Sequence, residues 1–145
     1  MYNSKMISVT ECCVKLMFYL GIPVCALVPL ATYLYGYRGF HYFIQTAAIA
    51  LSGVASVFIM YQLKRMFKTI SDGNPFVAEN AKALKNTGIA AWCIGAVYIL
   101  KLFFLPTVST VMIVIIFLCG GLFCFTLMHL FRTAVELKAE NDLMI

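Results

Sequence analysis

Negative charge is what this chain has least of. Six acidic residues occur in 145, namely Glu11, Asp72, Glu79, Glu136, Glu140 and Asp142, and none falls inside the four long apolar runs. Histidine occurs twice, tryptophan once, and charged residues of both signs make up only 12%. These shortages exclude chemistry before anything else. A hydrolase needs a nucleophile with a base, or carboxylates gathered at a metal. His41 and His129 fall on opposite sides of a membrane in the topology set out below, so they cannot share a site. His129, Glu136 and Glu140 lie on one stretch but span about 16 Å of helix, too far to converge on one ion; a solvated charged face is the expectation. The chain is therefore expected not to be an enzyme, and no metal or cofactor is implied.

Disulfides are also unexpected, although six cysteines are present. Cys25, Cys93, Cys119 and Cys124 sit inside apolar runs, where cysteine behaves as a small hydrophobe. Cys12 and Cys13 are adjacent, which fits neither a thiol oxidoreductase nor a zinc pair. Juxtamembrane thiols are acylation candidates, but idle thiols are the expectation here.

What the chain has in excess is apolar length. Residues are 63% hydrophobic, and the runs Leu16–Tyr35, Phe43–Leu63, Gly88–Leu105 and Thr110–Phe131 each last about the twenty residues that a bilayer core demands. Three carry no formal charge and the third carries only Lys101. A soluble protein of this size cannot hide four such faces. The fold class expected is all-α: a polytopic four-helix transmembrane bundle, one membrane domain over residues 1–145. The first run is longer than a signal-peptide core and offers no clean cleavage site, so it is expected to stay as a span. Lys5, Lys15, Lys64, Arg65, Lys68, Lys82, Lys85, Arg132 and Lys138 fall on one side and only Arg38 and Lys101 on the other, nine against two. By the positive-inside bias, both termini and the middle loop are expected to be cytoplasmic, in a cell membrane. The net charge of +5 is then mostly a topology signal, with attraction to anionic lipid as a by-product. Direct nucleic-acid binding is not expected, because no reading module surrounds the basic residues.

Within this frame several segments stand out. Pro23 and Pro29 lie in the first run, where proline removes a backbone bond and bends the helix. Tyr33, Tyr35, Tyr37, Phe40, Tyr42 and Phe43 crowd the first turn and read as an interfacial aromatic belt, with His41 solvated beside it. Ala48, Ser52 and Ser56 in the second run, and Gly88, Ala91 and Gly95 in the third, form small-residue stripes suited to close helix packing, within one chain or in a homo-oligomer. Packing within the chain is the expectation. The middle loop, Ser71 to Phe76, reads as a turn followed by a helix start. Asn74 is the expected N-cap and Pro75 the first helical residue. Phe76 to Asn86 then suggests a helix along the inner interface that continues into the third run, with Trp92 near the inner headgroup level. After Arg132 the fourth helix is expected to project from the membrane, ending in an apolar Leu143-Met144-Ile145.

Two of these segments together resemble a known family. Asp72-Gly73-Asn74-Pro75-Phe76 with Glu79-Asn80 and Leu84, and the terminal Glu140-Asn141-Asp142-Leu143-Met144-Ile145, look like the middle loop and the ending of a bacterial family of four-span membrane proteins, domain of unknown function 2975. Met144 stands where that family commonly has threonine. The resemblance implies no substrate, cofactor or catalytic residue. It does imply a neighbourhood, since members are often found beside a small helix-turn-helix regulator.

The functional expectation follows. Asp72, Asn74, Phe76, Glu79 and Asn80 of the loop, with Glu136, Glu140, Asn141, Asp142, Leu143 and Ile145 of the tail, are the candidate partner-binding residues. The partners expected are the lipid bilayer and a small cytoplasmic DNA-binding regulator that the protein tethers or signals to. The alternative is a transporter accessory or a small pore-forming, holin-like protein. Proton-coupled transport by the chain alone is not expected, because Lys101 and His129 both lie near span ends, where lysine snorkels to the surface.

Overall fold

The computed structural model describes residues 4–144, and it is helical throughout apart from three turns. Helix α1 spans Ser4–Leu34, α2 Gly39–Ser71, α3 Ala78–Phe104 and α4 Val108–Leu143. All four are long and apolar enough to cross a membrane. Each reaches beyond the apolar run that announced it, because a helix continues into the polar flanks until a turn residue stops it. Pro23 and Pro29 are accommodated inside an unbroken α1.

Consecutive helices pack antiparallel: α1 on α2, α2 on α3 and α3 on α4, with no other pair in close backbone contact among the described residues. One end of this bundle carries the start of α1, the α2–α3 turn and the end of α4; we call it the termini end. The other carries the α1–α2 and α3–α4 turns, the hairpin end. Helices α2 and α3 each have two neighbours, and α3 is the more buried of the two. Of its most apolar stretch 44% is buried, against 11% or less in the other helices. The buried positions follow a heptad: Asn80, Leu84, Thr87, Ala91, Ile94, Tyr98 and Lys101 are all interior, and their alternating spacing of four and three keeps one seam facing the partner helices.

Small residues set the close approaches. A Cβ on Gly121 of α4 would run into Trp92 Cδ1 of α3, and one on Gly88 would meet the Gly121 carbonyl oxygen at 3.3 Å. Trp92 thus lies across a glycine gap, its Nε1 donating to the Leu118 carbonyl at 3.3 Å and its ring edge-on to Phe125. It is a packing wedge about 10 Å along the helix from Lys85, rather than a ring anchored only at the headgroup level. On the other side, a Cβ on Gly53 would meet Cys25 Sγ at 2.8 Å, and Thr32 and Thr46 share a hydroxyl hydrogen bond of 2.8 Å between α1 and α2. Ser52 and Tyr98 hydroxyls meet at 3.4 Å between α2 and α3. The stripes read from the sequence therefore pack within one chain.

Candidate functional site

Polar and charged groups collect at the two ends of the bundle, and the two collections differ in kind. At the termini end, α2 stops in a glycine motif. Gly73 adopts φ +81°, its N–H donates to Ile70 O, and the Asn74 N–H donates to Thr69 O. These two bonds satisfy the last carbonyls of the helix as a Schellman motif does. Asn74 is consequently spent on ending α2 and does not start α3. The expectation that Asn74 caps α3 with Pro75 as its first residue is corrected: α3 begins at Ala78, and its N-cap is the extended Val77, which makes no side-chain cap bond. Asn74 lies before a proline and is thereby biased away from helical backbone. Its Oδ1 instead accepts from Lys138 Nζ at 2.8 Å. The segment from Phe76 to Asn86 is correspondingly no separate interfacial helix; from Ala78 onward it is the first turns of α3 itself.

Asn80 does the fastening. It is 2% exposed, its Nδ2 donates to Pro75 O at 2.7 Å, and its Oδ1 accepts from Thr69 Oγ1 at 2.8 Å. It therefore holds the turn from within and presents nothing to a partner. Phe76, half exposed, packs against Phe131 of α4 with ring centres 5.9 Å apart. Glu79 lies exposed, 3.6 Å from Arg65, and Asp72 is exposed at the C-cap of α2. Loop and tail are thus brought together: Lys138 and Phe131 of α4 each touch the turn.

Beyond Arg132, α4 runs on past the seam, with Val135 and Glu136 still bordering α3 and Lys138 reaching the turn. At 36 residues it is about 54 Å long, against about 40 Å for α3 and a bilayer core of about 30 Å. Glu136, Glu140, Asn141, Asp142 and Leu143 are all exposed on this overhang; Ile145 lies outside the described residues. Three carboxylates stand there against the single ammonium of Lys138. Phe131, Val135 and Lys138 turn toward α3 and the loop. On the face turned away, Leu130, Ala134, Leu137, Asn141 and Met144 repeat at four-three spacing, with Leu130 and Leu137 each 60% exposed and Met144 87%. The sequence reading named Leu143 and Ile145 as anchors and missed this stripe, whose heptad spacing was the available signal. A groove of about 480 Å³ between α3 and α4 carries Lys82, Lys85, Arg132 and Glu136 at its rim.

The hairpin end holds a site that sequence reasoning passed over. Lys101 was expected to snorkel outward; it is instead 8% exposed, in the last turn of α3. The reason is its place in the buried heptad of α3, seven residues after Ile94. Its Nζ stands 5.4 Å from the centre of the Tyr98 ring, and with Tyr98 it lines a cleft of about 390 Å³. Tyr37 of the α1–α2 turn, Gln45 of α2 and Thr107, Ser109 and Thr110 at the start of α4 complete the polar lining. Among the described residues no carboxylate reaches Lys101. Every acid of the chain belongs to the other end, and Glu79 on the same helix is about 33 Å away. Among the described residues the Lys101 ammonium has no hydrogen-bond partner, and only the Tyr98 ring and the C-terminal end of α3 stand near it. Arg38, the other cation of this end, is exposed and stacks on the Tyr33 ring at 4.0 Å.

Comparison with known proteins adds the family and nothing more specific. The model of a family described as a protein of unknown function, DUF2975, matches residues 16–145. The chain belongs to that family, and the match runs through both the α2–α3 turn and the α4 overhang. No curated protein and no solved structure matches it.

Proposed function

We propose that the protein is a membrane-embedded interaction protein that docks a partner at its termini end, taken as cytoplasmic from the charge asymmetry of the sequence. The observation that carries this reading is the α4 overhang. Past the apolar run that ends at Phe131, α4 continues and presents Leu137 and Met144 exposed on one face at heptad spacing, with no residue of the bundle over them among the described residues. That pattern suits a second amphipathic helix laid alongside, and an asparagine within the stripe suits a fixed register. The surrounding carboxylates, Glu136, Glu140 and Asp142, steer toward a basic partner. A small helix-turn-helix regulator of the kind suggested by the family resemblance offers both a helical surface and a basic one; held at the membrane, it would be kept from DNA. Asp72, Asn74, Phe76 and Glu79 form the second edge of the same surface, since Lys138 and Phe131 bind the turn to α4. Lys82, Lys85 and Arg132 face the headgroup region and anchor this end to anionic lipid.

A Leu137→Glu substitution tests the reading. It lies beyond the bundle, so the protein should insert and melt as the wild type does. Co-purification of the regulator, expressed beside it, should fall at least tenfold, because a carboxylate replaces a central apolar anchor. Unchanged co-purification with Leu137→Glu would sink the docking role of the overhang. Loss of solute flux or membrane permeability in its place would favour the transport or pore-forming reading.

A further inference from the structure

We infer that the hairpin-end cleft is a binding site for a monoanionic oxyanion, a phosphodiester or a carboxylate, whose charge Lys101 neutralises. This inference is independent of docking at the termini end.

Three observations meet in that cleft. The first is Lys101, more than nine-tenths buried yet without a carboxylate among the described residues. The second is the start of α4. Thr107 caps the helix by accepting from the Thr110 N–H at 3.3 Å, and the Thr107 and Thr110 hydroxyls meet at 2.7 Å. Thr107, Ser109 and Thr110 at the start of this 36-residue helix all line the cleft, so the N-terminal end of α4 borders it. A helix N-terminus favours negative charge, and here it shares the lining of one cleft with Lys101. The third is the remaining lining: Tyr98 and Gln45 supply neutral donors, and no acid opposes an incoming anion. The volume of about 390 Å³ lies in the range of small-ligand sites. One buried cation calls for one negative charge, which selects a diester or a carboxylate over a dianionic phosphate. Ile49 and Ile113 give the cleft apolar flanks, so a lipid headgroup with its chains in the bilayer and a small soluble anion share the chemistry required.

The test uses the full chain in a neutral maltoside detergent, with thermal unfolding and native mass spectrometry as readouts. The probes are phosphatidylglycerol, diacylglycerol as its counterpart without phosphate, and soluble diethyl phosphate and acetate. Phosphatidylglycerol or one of the soluble anions should raise the melting temperature of the wild type while diacylglycerol does not. Lys101→Met, which keeps length and removes charge, should weaken that binding at least tenfold, and Lys101→Arg should retain it. Lys5→Met, on the exposed start of α1 at the opposite end, should leave the wild-type shift in place. A response to phosphatidylglycerol alone assigns the site to a lipid headgroup; a response to diethyl phosphate or acetate assigns it to a soluble anion. The inference is overturned if no anion stabilises the wild type, if diacylglycerol acts equally, or if Lys101→Met binds as the wild type does.

Discussion

Helices α3 and α4 share a seam and face opposite fates. The first turn of α3 is already interior at Asn80, and buried positions continue to Lys101 in its last turn. Along the whole of α4 only Thr110, Gly121 and Met128 are buried. Yet α4 is the more apolar of the two, while α3 carries asparagine, threonine, tyrosine and lysine on its buried face. The difference teaches that, in a membrane, hydrophobicity does not mark the interior. Lipid covers leucine as well as protein does, so what selects a helix for the centre is smallness and polar pairing. Alanine and glycine let neighbours approach α3 from two sides, and Asn80 and Tyr98 find hydrogen-bond partners outside the helix, whereas Lys101 finds none among the described residues. Helix α4 offers bulk and takes a margin.

The sharpest way to break this comparison is at the seam itself, where two adjacent glycines of α4 differ completely. A Cβ on Gly121 would run into the Trp92 ring, while one on Gly120 meets nothing within 4 Å. Gly121→Ala should destabilise by about 3 kcal/mol, because the indole must leave its place and give up its bond to Leu118. Gly120→Ala should be neutral or stabilise by up to about 1 kcal/mol through helix propensity. Thermal unfolding in detergent followed by circular dichroism measures both. Equal effects at the two positions would mean that α3 and α4 do not meet as described.

How much of this was legible can be said residue by residue. The four helices were plain from run length, and the Gly88 and Gly95 stripe correctly announced close packing. The motif Asp72-Gly73-Asn74-Pro75 was legible as a turn but read in the wrong direction. An asparagine before a proline serves a helix start and a helix stop alike, and only the bonds from Gly73 and Asn74 back to Ile70 and Thr69 decide between them. Lys101 was misjudged because a lysine near a span end has two solutions, outward to the headgroups or inward to a seam. The heptad through Thr87 and Ile94 pointed inward. What no spacing in the sequence gives is that α2 and the start of α4 close over that position to make a cleft.

A smaller effect sharpens the contrast at the start of α3. Asn80→Ala removes the bonds to Pro75 and Thr69 together and leaves the half-buried Pro75 carbonyl without its donor, while the Thr69 hydroxyl keeps the Met66 carbonyl. It should destabilise by about 2 kcal/mol. Because Asn80 fastens the turn that α4 leans on, hydrogen exchange should rise from Ser71 to Val77 in this variant and stay unchanged at the hairpin end. Protection retained in the turn would show that Asn80 is not what holds it.

The smallest effect separates two roles for one residue. If Asn74 capped α3, replacing it with alanine would weaken the helix start by about 1 kcal/mol whatever stood at position 138. In the structure its side chain accepts from Lys138 instead, at an exposed site where such a bond contributes about 0.5 kcal/mol. A double-mutant cycle over Asn74→Ala and Lys138→Ala distinguishes the two. Either single change should lower stability by a few tenths of a kcal/mol, on the scale of that exposed bond, and the second should add nothing once the first is made, since each removes the same bond. Full additivity would return Asn74 to the helix start and free the α4 overhang from the turn. Coupling keeps loop and overhang as one surface, and it should appear again as a shared loss when either variant is tested for retention of the docked partner.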